Sequence, residues 1–290
     1  MINKNISFFY QNLIDMKRTR LLPLLLLSAL TLAPLCTHAQ VGPGGVGSIT
    51  NTQLWLRSDS LIAILPLNYV TMWYDLSGHA RDFSAIVTGQ SVPSWSQNVL
   101  NGYPTVRFND QGGVNGDFLG YPASIGLTGS DAATVVIVAR NTTSADEQNG
   151  GLYLGQRNVG GVRAVRSYGL EYNDAVRFNG ENQVFNDGHT LNDWKMILYT
   201  NPSGARVADY QGFLNGTLLT GGSASTVVPS LISNLALVGA TQMGGSYNPA
   251  GYFSGDIMEI AVFSGQLTDA ERVVLDNNLG AKYLLPIAND

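Results

Sequence analysis

Two carboxylate pairs stand close together in the chain, Glu171 with Asp174 and Asp256 with Glu259. Glycoside hydrolysis uses two carboxyl groups flanking one bond, about 5 Å apart for retention and wider for inversion. The members of each pair are three residues apart. On a strand that spacing sends them to opposite faces, because only even spacings share a face. Asp269 and Glu271 are two apart, but they belong to a helix start, where negative charge favours the dipole. An enzyme would therefore have to draw its acids from two strands. Nucleophilic chemistry finds less support. Beyond residue 39 the chain offers His79 and His189, each beside a glycine in a turn-like stretch, and no cysteine. Zinc lacks ligands for the same reason. Neither a Gly-x-Ser-x-Gly elbow nor a Gly-x-x-x-x-Gly-Lys phosphate loop occurs.

Binding chemistry has more to work with. The stretch from Asn109 to Asp117 gathers Asn109, Asp110, Asn115 and Asp117 within nine residues. Calcium takes oxygen ligands from pliable loops, so these four are the candidate metal ligands. The spacing is not that of an EF-hand, and an ordinary Asn/Gly turn is the competing reading. Sugars are often held against aromatic faces with amides nearby. Trp95, Tyr103, Tyr121 and Tyr247 lie in or beside Gly/Pro/Asn/Ser-rich stretches and are the candidate ligand-binding residues. Trp55, Trp73 and Trp194 fall in strand-like runs and read as core. Glu259 shares a nominal strand face with Ile257, Ala261 and Phe263. It reads as a structural carboxylate paired with an arginine such as Arg57 or Arg107.

The elements that must position these residues are mostly strands. Short apolar runs recur between Gly/Asn/Asp clusters, among them 54–57, 70–74, 105–108, 133–140, 194–200, 210–214, 235–239 and 252–263. Thr134–Ala139 is apolar on both faces, as a covered central strand would be. Trp194, Met196 and Leu198 share one strand face, and Lys195, Ile197 and Tyr199 the other. Asn215-Gly216 between apolar flanks signals a tight hairpin, since both residues tolerate positive φ. One helix is expected. Thr268 and Glu271 form a capping box, Leu275, Leu279 and Tyr283 follow at spacing four, and Pro286 stops it.

Residues 21–35 are apolar without interruption by charge, preceded by Lys17, Arg18 and Arg20 and followed by Thr37-His38-Ala39. Fifteen residues fall short of the roughly 20 that span a bilayer, so 1–39 read as a secretory signal peptide. Met16, just ahead of the basic cluster, is a candidate true start. A retained anchor is the weaker reading because the run is short. Acylation of Cys36 is weaker too, since Leu35 is large for a lipid-attachment site.

Cleavage after Ala39 removes four of the 16 basic residues (Lys4, Lys17, Arg18, Arg20) and one of the 21 acids (Asp15). That leaves 12 against 20, a charge of −8, with no cysteine and no further apolar run of membrane length. The remaining basic residues are scattered singly, which argues against nucleic acid as a partner. All 33 glycines fall in this part, and so many turns suit a many-stranded antiparallel fold. Residues 40–50 read as a flexible lead-in and 51–286 as a single domain.

The order of Leu54–Asp59, Val70–Gly78, Asn101–Phe108, Asp193–Met196, Phe213–Gly216, Tyr252–Phe263 and Leu267–Arg272 resembles the laminin G-like, concanavalin A-like lectin/glucanase group. The likeness is to its Bacteroidetes-type bacterial secreted form and spans about residues 54–283. It implies an all-β fold, a two-sheet antiparallel β-sandwich (jelly roll) with one C-terminal helix. Members of this group often bind glycans, sometimes through calcium, and some relatives are glycoside hydrolases. Many carry a C-terminal sorting domain. Nothing follows Asp290 here, which favours a free secreted or periplasmic protein over surface attachment.

The leading expectation is an exported non-catalytic module that binds a glycan or glycan-bearing surface, used for adhesion or capture. A glycoside hydrolase with a divergent site and a structural module of the cell envelope are the alternatives.

Overall fold

The computed structural model describes residues 42–60, 62–109, 116–142, 150–159, 162–171, 175–178, 183–186, 192–220, 226–232, 234–242 and 249–288. The apolar segment 21–35, Met16 and the carboxylates Asp174 and Asp110 lie outside these. Among the described residues no helix is long and apolar enough to cross a membrane. Gln40–Asp290 form one compact unit.

Strands are numbered in chain order. The first sheet runs, in space, β15 (Thr217–Leu218), β14 (Gln211–Leu214), β13 (Lys195–Asn201), β8 (Ala133–Asn141), β19 (Gly255–Ser264), β6 (Tyr103–Phe108) and β5 (Ser94–Leu100). Strand β1 (Thr52–Arg57) pairs with β19 beyond the stretch that β6 covers. The second sheet runs β12 (Gln183–Asn186), β11 (Ala175–Phe178), β10 (Val162–Glu171), β9 (Gly150–Val159), β16 (Ala236–Val238), β7 (Leu119–Tyr121), β4 (Phe83–Ser84), β3 (Val70–Trp73) and β2 (Ile62–Ile64). Strands β17 (Ala240–Gln242) and β18 (Pro249–Tyr252) form a separate ribbon. All pairings between these strands are antiparallel.

The sandwich core follows from side-chain alternation. Val135, Ile137 and Ala139 of β8 point inward with Ile197 and Tyr199 of β13, and meet Trp73, Phe83, Leu119, Leu152 and Leu154 from the second sheet. The opposite face of β8 presents Val136 and Val138, which pack with Met196, Leu198 and Phe263. Strand β8 is thus covered on both faces, as its uninterrupted apolar run predicts. A smaller cluster of Phe118, Tyr153, Leu235, Leu237, Ala240 and Tyr252 lies away from the inter-sheet core. The Asn215-Gly216 hairpin forms as expected, with φ of 48° and 88°, and joins β14 to β15.

Helix α1 (Asp269–Tyr283) lies on the outer face of the first sheet. Thr268 Oγ1 accepts from the Glu271 backbone N–H at 3.2 Å, and Glu271 Oε2 accepts from the Thr268 N–H at 2.8 Å. A cap of this kind contributes about 1 kcal/mol. Leu275, Leu279 and Tyr283 are buried against Trp55, Val136, Met196 and Phe263.

The helix ends before Pro286, at Leu284, which takes the left-handed conformation (φ 52°, ψ 41°) and donates its N–H to the Gly280 carbonyl. Leu284 is 69% exposed, so its side chain contributes little packing. Leu284→Gly is therefore expected to stabilise the protein by about 0.5–1 kcal/mol, read as a higher melting temperature.

Two features depart from the sequence reading. The stretch Gly42–Gly47 is not simply a lead-in. Pro43–Gly45 make a 3-10 turn seated on α1, Val46 is buried, and the Gly44 carbonyl accepts from Asn278 Nδ2 at 2.7 Å. Gly44 sits at φ +56°, and a Cβ there would meet Leu275 Cδ1 at 2.8 Å. Glycine at position 44 lets the turn approach the helix closely.

The second departure is in β19. Ile257 pairs with Ala139 and Glu259 with Val138, which leaves Met258 as an extra residue, a β-bulge. It lies where β6 ends along β19 and β1 begins, and the Met258 carbonyl accepts from the Ser58 N–H at 2.9 Å. Upstream of the bulge Ile257 faces the inter-sheet core. Downstream, Ile260 and Val262 do so.

Candidate functional site

The bulge changes which carboxylates share a face. Strict alternation predicts Asp256 and Glu259 on opposite sides and Glu259 beside Ile257. Instead Ile257 points into the sandwich, and both Asp256 and Glu259 lie on the outer face, which carries α1.

Glu259 is 2% exposed and accepts three side-chain donors. Trp55 Nε1 reaches Oε1 at 2.7 Å, while Lys282 Nζ at 2.9 Å and the Tyr283 hydroxyl at 2.7 Å reach Oε2. The expected arginine partners are engaged elsewhere: Arg57 with Asp59, Arg107 with Asp256. The reason is the helix, whose last turn brings Lys282 and Tyr283 over the strand. Burial and the adjacent Glu259 carboxylate push the Tyr283 phenol far above its ordinary range.

Asp256 lies one level away and anchors a row across five strands. Register pairs Ser94 of β5 with Arg107 of β6, Arg107 with Asp256, and Asp256 with Arg140 of β8. Trp194, just before β13, is level with Arg140, because Lys195 pairs with Ala139. At about 4.8 Å between strands, the row is about 19 Å long.

The Asp256 carboxylate is fully buried. Arg107 grips it with Nε to Oδ1 at 2.8 Å and Nη2 to Oδ2 at 2.9 Å, and Arg140 adds Nε and Nη2 to Oδ2, both at 2.8 Å. Hydrogen bonding to Asp256 raises the Arg107 pKa further above its ordinary value. The Arg140 guanidinium stacks 4.7 Å from the Trp194 ring centroid. Arg107 and Arg140 keep 39% and 21% of their side-chain surface exposed. Their Nη1 groups donate to no partner among the described residues. Two cations on one anion leave a residual positive charge, held rigidly on a sheet face.

The sequence-derived candidates are distributed differently. Trp95 belongs to β5, packs against the inter-sheet core and donates Nε1 to the Ser58 carbonyl at 2.9 Å. Tyr103 begins β6 and meets Tyr283 edge-on, with centroids 5.4 Å apart, under α1. Tyr121 ends β7 in the other sheet, packed against Phe83 and the inter-sheet core. Tyr247 lies outside the described residues. The three described aromatics are not brought to one surface.

Among the candidate metal ligands, Asp110 and Asn115 also lie outside the described residues. Asn109 and Asp117 do meet. Asp117 Oδ2 accepts from the Asn109 N–H at 2.9 Å and from Nδ2 at 3.0 Å, and Oδ1 accepts from the Ser91 hydroxyl. Their polar groups close the base of the loop. Among the described residues no group of three His, Cys, Asp or Glu side chains is placed to hold a metal.

A concavity of about 370 Å³ opens between the start of α1 and strands β13 and β14. Thr200, Gln211, Phe213, Gln266 and Arg272 line it. Arg272 lies 4.3 Å above the Phe213 ring and 3.3 Å from Asp276 Oδ2, while Asp276 Oδ1 has no donor among the described residues. Burial pushes the Asp276 carboxyl up from 3.8 to about 6, opposed by the smaller pull of Arg272.

The folded protein therefore holds a proton that the unfolded chain loses. That stabilisation is complete below about pH 4 and is lost as pH rises through about 6. Asp276→Asn is expected to flatten this decline, so that the variant gains on the parent most at about pH 7, in melts taken across that range.

No family model matches the sequence, and no curated protein does. Solved structures do. A Trypanosoma rangeli sialidase in complex with sialic acid aligns with a TM-score of 0.53 at 15% identity, covering 87% of this chain and 36% of that one. The botulinum neurotoxin serotype D binding domain aligns with 0.52 at 11%, covering 80% and 51%. An arabinofuranosidase complexed with arabinofuranosyl-alpha-1,2-xylobiose aligns with 0.51 at 15%, covering 74% and 51%. The chain thus spans about a third to a half of these neighbours. At such identities the likeness is one of fold: this is an all-β sandwich with a single α-helix among the described residues, similar to parts of those proteins.

Proposed function

We propose that the chain is an exported, non-catalytic binding module of laminin G-like, concanavalin A-like type that recognises a glycan or a glycan-bearing surface. The observation that carries this reading is the row Ser94–Arg107–Asp256–Arg140–Trp194. It sets fixed hydrogen-bond donors beside an aromatic ring on a sheet face, the kind of surface that orients a sugar. Neighbours described with sialic acid and with an arabinofuranosyl xylobiose support a glycan ligand for this fold. The signal-like composition of residues 1–39 supports export, with the module secreted, periplasmic or on the cell surface.

A glycan array with the purified chain, run with calcium and with chelator, tests this reading. Glycan binding supports it, and its loss with chelator supports calcium, with the Asn109–Asp117 loop as the candidate site. Binding to no glycan moves the assignment to a structural envelope module.

The hydrolase reading has one observation in its favour, the shared outer face of Asp256 and Glu259. Against it, all four of their carboxylate oxygens already accept donors. Release of reducing sugar from common polysaccharides, abolished by Glu259→Gln, would establish it.

A further inference from the structure

We infer that the row selects acidic saccharides, binding a sugar carboxylate at the free edges of Arg107 and Arg140. This rests on the glycan-binding reading and narrows it to a chemical class. A guanidinium presents planar pairs of N–H donors that match a carboxylate, a match an ammonium lacks. Here two guanidiniums share one buried carboxylate, which takes the Nε and Nη2 edge of each and leaves Nη1 donors directed elsewhere. The Asp256 clamp and the Trp194 stack hold both planes in place before any ligand arrives, so little ordering is left to binding.

Among the described residues few charges face the row: Asp256 is consumed, Ser94 is neutral, Lys195 points into the sandwich, and Asp193 lies exposed beside Trp194. The chain beyond residue 39 carries a charge of −8, so its overall field repels polyanions. An acidic glycan that binds must therefore be recognised locally, at a positive site. The row is such a site.

The test is titration calorimetry with the full chain and four probes: a galacturonate oligomer, 3′-sialyllactose, lactose and a dextran sulfate oligosaccharide, which carries sulfate esters and no carboxylate. A carboxylate-bearing probe is expected to bind about tenfold or more tighter than lactose and to weaken from about 50 to about 300 mM salt. Arg107→Lys and Arg140→Lys keep the charge but lose the planar fork, and each is expected to weaken that binding at least about fivefold. Ser94→Glu adds a negative charge opposite Arg107 without touching Asp256. It is expected to abolish binding of the acid and spare the fold, so the question is decided even where a lysine variant melts early.

Equal affinity for lactose and the acids, or binding unchanged in all three variants, overturns the inference and leaves the glycan reading standing. Binding of dextran sulfate alone replaces a carboxylate by a sulfate ester and overturns the assignment. Binding of no saccharide removes both readings.

Discussion

Glu259→Ala is expected to destabilise the protein by about 3–5 kcal/mol, the range for breaking a buried ion pair from one side. The carboxylate ties Trp55 of β1, Lys282 and Tyr283 of α1 to β19 at one point. Its removal leaves the buried Tyr283 hydroxyl and the Trp55 indole N–H without acceptors, and each such loss costs about 1–3 kcal/mol. Among the described residues Lys282 then keeps one ion-pair partner, Asp59 at 3.4 Å, and its contacts with the Tyr103 and Tyr283 rings. Glu259→Gln keeps the volume and one acceptor oxygen, so its cost should fall between alanine and the parent. Denaturant melts supply the numbers, and hydrogen exchange should show the last turn of α1 opening first. A loss under about 1 kcal/mol would mean that the apolar stripe alone seats the helix.

Asp256→Ala should cost a similar amount, about 3–5 kcal/mol, for a different reason. Here the deletion leaves two guanidiniums side by side with no anion between them. In a domain of this size each kcal/mol moves the midpoint by about 2–4 °C, so a fall of about 6–20 °C is expected in thermal melts. The loss should be smaller in high salt, which screens the exposed parts of the two arginines. Arg107→Ala should be milder, because Arg140 still neutralises Asp256. If Asp256→Ala melts within about 2 °C of the parent, the row is a surface decoration and not a clamp.

Much of the scaffold was readable from residue order. The two-faced apolar run of β8, the Asn215-Gly216 hairpin and the Thr268/Glu271 cap each depend on local chemistry and appear where that chemistry predicts them. The site was less readable, because it is made by register. Arg107, Asp256 and Arg140 each stand one residue from the end of a largely apolar strand. Nothing local says that three strands align them. Trp194 read as core because it alternates with Met196 and Leu198. It does share their face and packs against their cluster, but only half-buried, at the edge of it. The loop aromatics misled in the opposite direction: Trp95, Tyr103 and Tyr121 flank glycines and prolines, yet sit in strands and pack inward or under α1. The single residue added at Met258 was invisible to a pattern read with a fixed period of two.

That added residue also bears on how the chain can change over time. Outward positions on β19 are even-numbered before it and odd-numbered after it, so the strand carries two parities joined at one place. Loss or gain of a residue elsewhere in the strand would turn one of its halves inside out and bury a charge. At Met258 a deletion would merely straighten the ribbon and leave Asp256 and Glu259 looking the same way. Distant kin of this protein should therefore differ in length at that position more readily than anywhere else along β19, and alignments that forbid a gap there will misassign every face upstream of it.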